Sequence, residues 1–419
     1  MRRLLMVAYH FPPLAGSSGI QRTLRFARHL PALGWEPLVL TIAPRAYGRT
    51  SDDLLREIPA GLVVERAFGL DTARHLALAG RYPGFLARPD RFLAWRLGGW
   101  LTGRRMIRRY RPAAIWSTFP VATAHSIGAD LAEASGLPWI ADFRDPMAQE
   151  GYPEDPATWA AYRAVEARAF RLAAATVVTT PGTARFYANR YPACASRLGI
   201  IENGYDEESF AGLAAPASPL LPGRFVLLHS GIVYPSERDP SALIAALGQF
   251  RRAGTPGADR LVLRFRAAVH EDLLRDLAAR HGVEEQVEVA PALPYRAALA
   301  EMLAADGLLV LQAANCNDQI PAKLYEYLRC GRPVLGLTDP LGDTAWALKR
   351  AGVSLLAPLN DEAAIERLLA RTLAGLVAGD LPGPAPGAAR EASREARSRE
   401  LADLLARVVP PPRGRRVDR

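Results

Sequence analysis

The sequence predicts an α/β protein of two domains, each built on a parallel sheet. Three observations lead there. Short apolar runs of strand length alternate with amphipathic segments of helix length almost throughout, the pattern of strand–helix–strand crossovers. At 419 residues the chain exceeds what one ordinary hydrophobic core holds. A small-residue, proline-rich stretch at 211–223, AGLAAPASPLLPG, interrupts the alternation near its middle, as an interdomain linker would.

Taken in order, residues 4–9 form a first apolar strand, followed by the loop Gly16-Ser17-Ser18-Gly19. Ile20, Leu24, Ala27, Leu30 and Leu33 then recur at helical spacing. Gly34 stops that helix and residues 37–42 make the next strand, completing a βαβ unit. Further strands are expected at 113–118, 138–142, 176–180 and 198–201. Asn203-Gly204 reads as a turn with φ > 0 at Gly204. The first domain is assigned 1–210. The second, 224–382, is expected to place strands at 225–229, 261–265, 287–289, 307–311, 334–337 and 353–356. A second break, LPGPAPG at 381–387, precedes a helix within 383–409 that carries Leu401, Leu404 and Leu405 on one side. The proline- and arginine-rich tail, 410–419, is expected to be disordered.

Composition narrows the function. Hydrophobic residues make up 49% and charged residues 23%, the balance of a globular protein rather than a disordered one. No run of eighteen apolar residues is present, so no spanning helix is expected. The opening MRRLLMVAYHFPP has too short an apolar run for a signal peptide, and a cytoplasmic location is expected. Cys194, Cys316 and Cys330 have neither disulfide nor zinc spacing. The net charge of +9 comes almost wholly from arginine, Lys323 and Lys349 being the only lysines. Such a chain suits phosphates or anionic surfaces, and two lysines weaken any pyridoxal-phosphate reading.

The densest chemical signal is residues 317–337, NDQIPAKLYEYLRCGRPVLGL. It reads as loop, helix, glycine stop and strand. Pro321 suits the first helical turn, Gly331 the residue past the end, and Pro333 bars continuation. The free N–H groups of the first turn after Pro321, at Ala322 and Lys323, and the positive dipole end would favour a phosphate. Glu326 could accept hydrogen bonds from sugar hydroxyls.

This segment resembles the donor-binding signature of retaining glycosyltransferases of the GT-B architecture, family 4 type. The signature is an acid, seven residues, then Glu, closing on small-Gly-x-Pro-Val. Here it runs from Asp318 to Glu326 and ends Cys330-Gly331-Arg332-Pro333-Val334, with Asp318 in place of the usual Glu. The resemblance implies two Rossmann-like domains with parallel sheets facing across a cleft. It implies a nucleotide-diphosphate sugar as donor, held by Glu326, Lys323, Pro321 and Ala322, with Asp318 facing the sugar. It also implies that the last helix returns to the first domain, and that neither cofactor nor metal takes part. The acceptor would be a saccharide, a lipid-linked glycan or a small hydroxyl compound.

Other matches are partial. Phe11 to Gly19 is similar to the family's glycine-rich loop near the donor, which gives Gly16, Ser17, Ser18 and Gly19. His229-Ser230-Gly231 ends a strand where the family has Gly-Arg; Ile232 replaces that arginine, and Arg238 stands one place beyond the usual lysine. Gly231 and Arg238 are therefore assigned to the donor. Asp142-Phe143-Arg144-Asp145-Pro146 ends a first-domain strand, where two carboxylates and an arginine could orient an acceptor hydroxyl. The same residues could instead satisfy one another and brace the loop. Residues 81–111 hold nine arginines and one acid among aromatic residues, a composition suited to the inner face of an anionic membrane or to a solvated helix face. No nucleic-acid motif is present. A nucleotide-sugar epimerase or hydrolase, or a non-catalytic binder, would share these features.

Overall fold

Apolar strands joined by amphipathic helices bury both sheet faces when the strands run parallel and helices cover each side. The computed structural model, which describes residues 1–17, 19–214 and 218–410, contains two such sheets. The chain divides into two compact units. One comprises Met1–Glu202 with the segment from Arg394; the other is Asn203–Ser393.

In the first unit, β1 (Arg2–Val7), β2 (Trp35–Ile42), β3 (Val63–Ala67), β4 (Ala114–Thr118), β5 (Trp139–Arg144), β6 (Ala175–Val178) and β7 (Leu198–Ile200) lie in the order β3-β2-β1-β4-β5-β6-β7. In the second, β8 (Phe225–Ser230), β9 (Leu261–Arg266), β10 (Val287–Ala290), β11 (Gly307–Gln312), β12 (Val334–Thr338) and β13 (Leu356–Ala357) lie in the order β10-β9-β8-β11-β12-β13. Each sheet therefore runs outward from its first strand in both directions. That arrangement creates a switch point, between β1 and β4 and between β8 and β11, where ligands bind outside the carboxyl ends of the strands.

Side chains alternate across the first sheet with a period of two. Leu5 and Val7 join Leu38, Leu40, Ile115 and Trp95 in one core layer. Leu4 and Met6 join Phe26, Trp116, Leu401 and Leu405 in the other. The helix Arg394–Val408 is thus part of the first unit's core, and its Leu401 and Leu405 are fully buried. Each such leucine contributes about 1.5–3 kcal/mol through burial.

Several boundaries differ from expectation. The first unit ends at Glu202 rather than 210, because Tyr205 and Phe210 are buried in the second unit's core. Residues 383–393 also stay with the second unit, where Ala385 N–H bonds the Ala351 carbonyl. Gly204 is not among the glycines with positive φ. The chain there is held instead by Tyr205, whose N–H bonds Ala392 O at 3.1 Å. β3 was not anticipated: its VVERA sequence carries Glu65 and Arg66 and is mostly half-buried, so it lacks an apolar run. The last strand is shorter than expected, because Val353 N–H turns back to Leu348 O and closes the preceding helix. The expected tail is described only at Pro410; residues 411–419, like 215–217 of the linker, lie outside the described residues. All three cysteines are free thiols, with Cys316 buried.

Candidate functional site

The carboxyl ends of β8 and β11 carry the densest group of predicted residues. The helix Lys323–Cys330 begins two residues later than Pro321, although Ala322 is already helical at φ −57°, ψ −33°. Leu324 N–H bonds Pro321 O at 3.0 Å, a tight first turn. Leu324, Tyr325, Tyr327 and Leu328 bury one side, and Gly331 closes the helix at φ 68°, as its position predicts. Tyr327 fastens the helix to the sheet, its hydroxyl accepting the Ser230 N–H at 2.9 Å.

Lys323 comes off the first turn of this helix and reaches the switch point. Its Nζ lies 3.1 Å from Nε2 of His229, which is fully buried on β8. A Cβ on residue 231 would lie 2.9 Å from the same Nζ, at the tip of the lysine, and Gly231 adopts φ 123°, a conformation that other residues rarely take. Arg238 rests on the Tyr234 ring, 5.1 Å from its centroid, and donates to Ile232 O at 3.2 Å. Its Nε is buried with no hydrogen-bond partner among the described residues. Glu237 stands 3.9 Å from the guanidinium, too far for a hydrogen bond. Burial and the nearby Arg238 push the Lys323 ammonium down to about 7, while Glu326 pulls the other way. Glu326, on the next turn, is half-buried and accepts the Tyr295 hydroxyl at 2.7 Å. Asp318 is exposed on the loop before the helix.

In the first unit, the helix Gly19–His29 follows β1. Ser17 caps it, Oγ accepting Gly19 N–H at 3.2 Å. Gly16 is exposed at φ 76°, and Ser18 lies outside the described residues. Asp142 ends up in a different role from the one its sequence context suggested. Both its oxygens are taken by Arg22 of this helix, at 2.6 and 3.1 Å, and Arg22 also donates to Ile201 O and Glu202 O. Both side chains are buried, so this pair braces β5 and does not present a carboxylate to a ligand. Arg144, next but one, has φ 60°, and Asp145 N–H bonds Phe143 O across it at 2.7 Å. That is a three-residue turn of the strained kind. Register with β6 slips at the same place. The Arg144 carbonyl is fixed by Thr179 N–H and Oγ1. Its guanidinium extends to Gly19, where an added Cβ would lie 2.9 Å from it and 3.2 Å from the His10 ring. Burial and Arg144 lower His10 to about 4, so it is neutral at physiological pH. Asp145 is exposed beside them.

Residues 18–204 match the model of the glycosyl transferase 4-like domain. Solved structures match along nearly the whole chain. Sucrose-phosphate synthase from Thermosynechococcus elongatus is 15% identical and covers 97% of this chain and 99% of its own, with a TM-score of 0.62. HepE of Anabaena in complex with UDP is 15% identical, covers 97% and 100%, and has a TM-score of 0.61. WaaG, a glycosyltransferase involved in lipopolysaccharide biosynthesis, is 14% identical, covers 96% and 99%, and has a TM-score of 0.58. The fold is GT-B. No curated protein matches the chain by sequence.

Within this GT-B chain, the structure brings Lys323, Arg238 and Gly231 together and places Glu326 one turn along the helix. In the first unit it gathers Gly19, Arg144 and Asp145. Three participants were not singled out as site residues: His229, His10 and Arg22. His229 had a readable signal, being a titratable residue in the otherwise apolar strand FVLLHS. Arg22 sits inside a helix, and its partner is 120 residues away, so nothing local announces the pair.

Proposed function

We propose that this protein is a glycosyltransferase that moves a sugar from a nucleoside-diphosphate sugar to a hydroxyl acceptor, with retention at the anomeric carbon and without a metal ion. The observation that carries this reading is Lys323 beside Gly231 at the amino end of the Lys323–Cys330 helix, with Arg238 on the Ile232 carbonyl and within electrostatic reach of it. Among the described residues, no carboxylate lies within ion-pair distance of Lys323, and Glu237 approaches Arg238 only to 3.9 Å, without a hydrogen bond. Two like charges held together at a desolvated spot are costly unless an anion joins them. A diphosphate supplies that charge, and bidentate donation from a guanidinium suits it.

The residues then divide the work. Lys323, Arg238 and the helix N–H groups stabilise the diphosphate as the C1–O bond lengthens and negative charge gathers on the leaving group. Glu326 holds ribose hydroxyls, and Asp318 meets the transferred sugar. In the first unit, Arg144, Asp145 and neutral His10 receive the acceptor. The complexes of HepE with UDP and with UDP-glucose make uridine the first base to test.

A saccharide or lipid-linked acceptor agrees with the surface around residues 76–101. Leu78 is 85% exposed, Phe85 66%, Leu97 65% and Leu101 55%, amid the arginine-rich stretch. Apolar side chains among arginines suit an anionic membrane face. No helix among the described residues is long and apolar enough to cross a membrane.

A thermal-shift screen with nucleoside diphosphates and their sugars tests the donor assignment, because a ligand bound only by the folded state raises the melting temperature. A sugar product that forms only with acceptor present supports transfer. Free sugar or an isomerised donor, formed equally without acceptor, overturns it.

A further inference from the structure

His229 is fully buried directly beneath the proposed donor site, and the transfer reaction alone gives it no task. We propose that His229 is a positioning residue for the donor diphosphate, acting through Lys323; this rests on the donor reading above. The hydrogen-bond partners favour one tautomer. Nδ1 lies 3.1 Å from the Leu309 carbonyl, which can only accept, and a hydrogen on Nδ1 satisfies it while leaving Nε2 to meet Lys323; the Ile232 backbone also bonds the ring. Nε2 is then an acceptor, and the group 3.1 Å from it is the Lys323 ammonium. One ammonium hydrogen is thereby turned inward to the imidazole. The other two remain for a ligand beside Gly231, where a Cβ would lie 2.9 Å from Nζ.

This arrangement ties the switch point to the helix. Leu309 on β11 and His229 on β8 are next to the parallel pair Leu308↔Leu228, so the imidazole takes its orientation from the sheet itself. A lysine has four rotatable stem bonds and loses much freedom when held still. An acceptor anchored to the sheet holds it before the ligand arrives, which is the role of a supporting contact in a preorganised site.

The charges around Lys323 come from three directions. His229 faces it from β8, Arg238 from the loop after β8, and Glu326 from its own helix. Burial, then Lys323 and Arg238, keep His229 far below its ordinary value, so it stays neutral. Lys323, lowered to about 7, is about half protonated in the empty site at that pH. A diphosphate draws a proton from the solvent onto Lys323, not from His229, and binding takes up about half a proton at pH 7.

The chain's two lysines make the test direct. With lysine labelled at 13Cε, two resonances appear, and Lys349→Arg assigns them. In ligand-free protein, Lys323 is expected to titrate near 7. His229→Leu removes the acceptor and should lower that midpoint by about 1 unit or more, whereas His229→Gln keeps an acceptor and should change it by less than about half as much. UDP should raise the midpoint in the wild type, and UDP affinity should fall about 10-fold in His229→Leu but not in His229→Gln. Equal losses in both variants, or no change in either, overturn the proposal in favour of simple packing. Should His229→Leu not fold, His229→Phe, which keeps a ring and removes the acceptor, takes its place against His229→Gln with the same outcomes. A wild type that binds neither UDP nor pyrophosphate overturns the donor reading, and is told apart by a Lys323 midpoint that still depends on His229.

Discussion

At the carboxyl edge of the first sheet, Arg22 meets Asp142 through two hydrogen bonds, and both side chains are buried. At the corresponding edge of the second sheet, Lys323 and Arg238 meet a neutral imidazole, a backbone carbonyl and each other's field, with Glu237 3.9 Å from Arg238 and Glu326 on the helix as the nearby acids. The strand order around the two switch points is the same. What differs is whether the cation was given its counter-charge during folding. In the first unit the ion pair closes on itself and serves the architecture. In the second neither cation has a hydrogen-bonded carboxylate partner among the described residues, and on the proposed function that deficit is what a diphosphate would fill.

Four measurements would break or sharpen that contrast. The largest effect is expected in the first unit. Asp142→Ala leaves the Arg22 guanidinium buried without its partner and should cost about 3–5 kcal/mol in denaturant unfolding. UDP affinity of the folded fraction should not change, and a tenfold loss would show that the pair does more than brace. Next, Lys323→Met should lower the transfer rate about 10²–10³-fold, or about 2.7–4 kcal/mol. A rate within threefold of wild type would remove Lys323 from the reaction.

The third measurement concerns pH. The Lys323 value falls from 10.5 unfolded to about 7 folded, so the unfolded chain binds the extra proton between those limits. Stability of the ligand-free protein must then rise as pH climbs through that window, and the cost is fully present below 7. Discounted for its partial exposure, the gain is roughly 2 kcal/mol. Lys323→Met should lack it and melt higher than wild type at neutral pH; the same slope in both proteins would contradict the assignment. The smallest effect concerns Arg144, which holds φ 60°. Arg144→Gly should stabilise the fold by up to about 1 kcal/mol while lowering transfer. Destabilisation instead would mean that its guanidinium contacts outweigh the backbone strain.

The fold was legible because strands such as FVLLHS and GLLVLQ open on apolar runs of four or five residues between helices, a signal that needs no knowledge of partners. β3 escaped because Glu65 and Arg66 hide a five-residue edge strand. The glycine stop at Gly331 and the small residue at Gly231 could be read from local pattern. Pairings could not. Asp142 was matched by proximity with Arg144, yet its partner is Arg22, across the sheet edge from another element. His229 takes its meaning from Leu309 and Lys323, 80 and 94 residues away. Sequence shows which groups are available, and the fold decides which of them neutralise one another.

The helix Arg394–Val408 carries a consequence for biosynthesis. Translation delivers the first sheet early, but Phe26 and Trp116 share their core layer with Leu401 and Leu405, which are made only after the entire second unit. The contiguous unit Asn203–Ser393 can therefore close first, while the earlier-born half waits on the ribosome with an uncovered apolar flank. Of the two units, the one whose sheet is translated earlier is completed by the segment translated later.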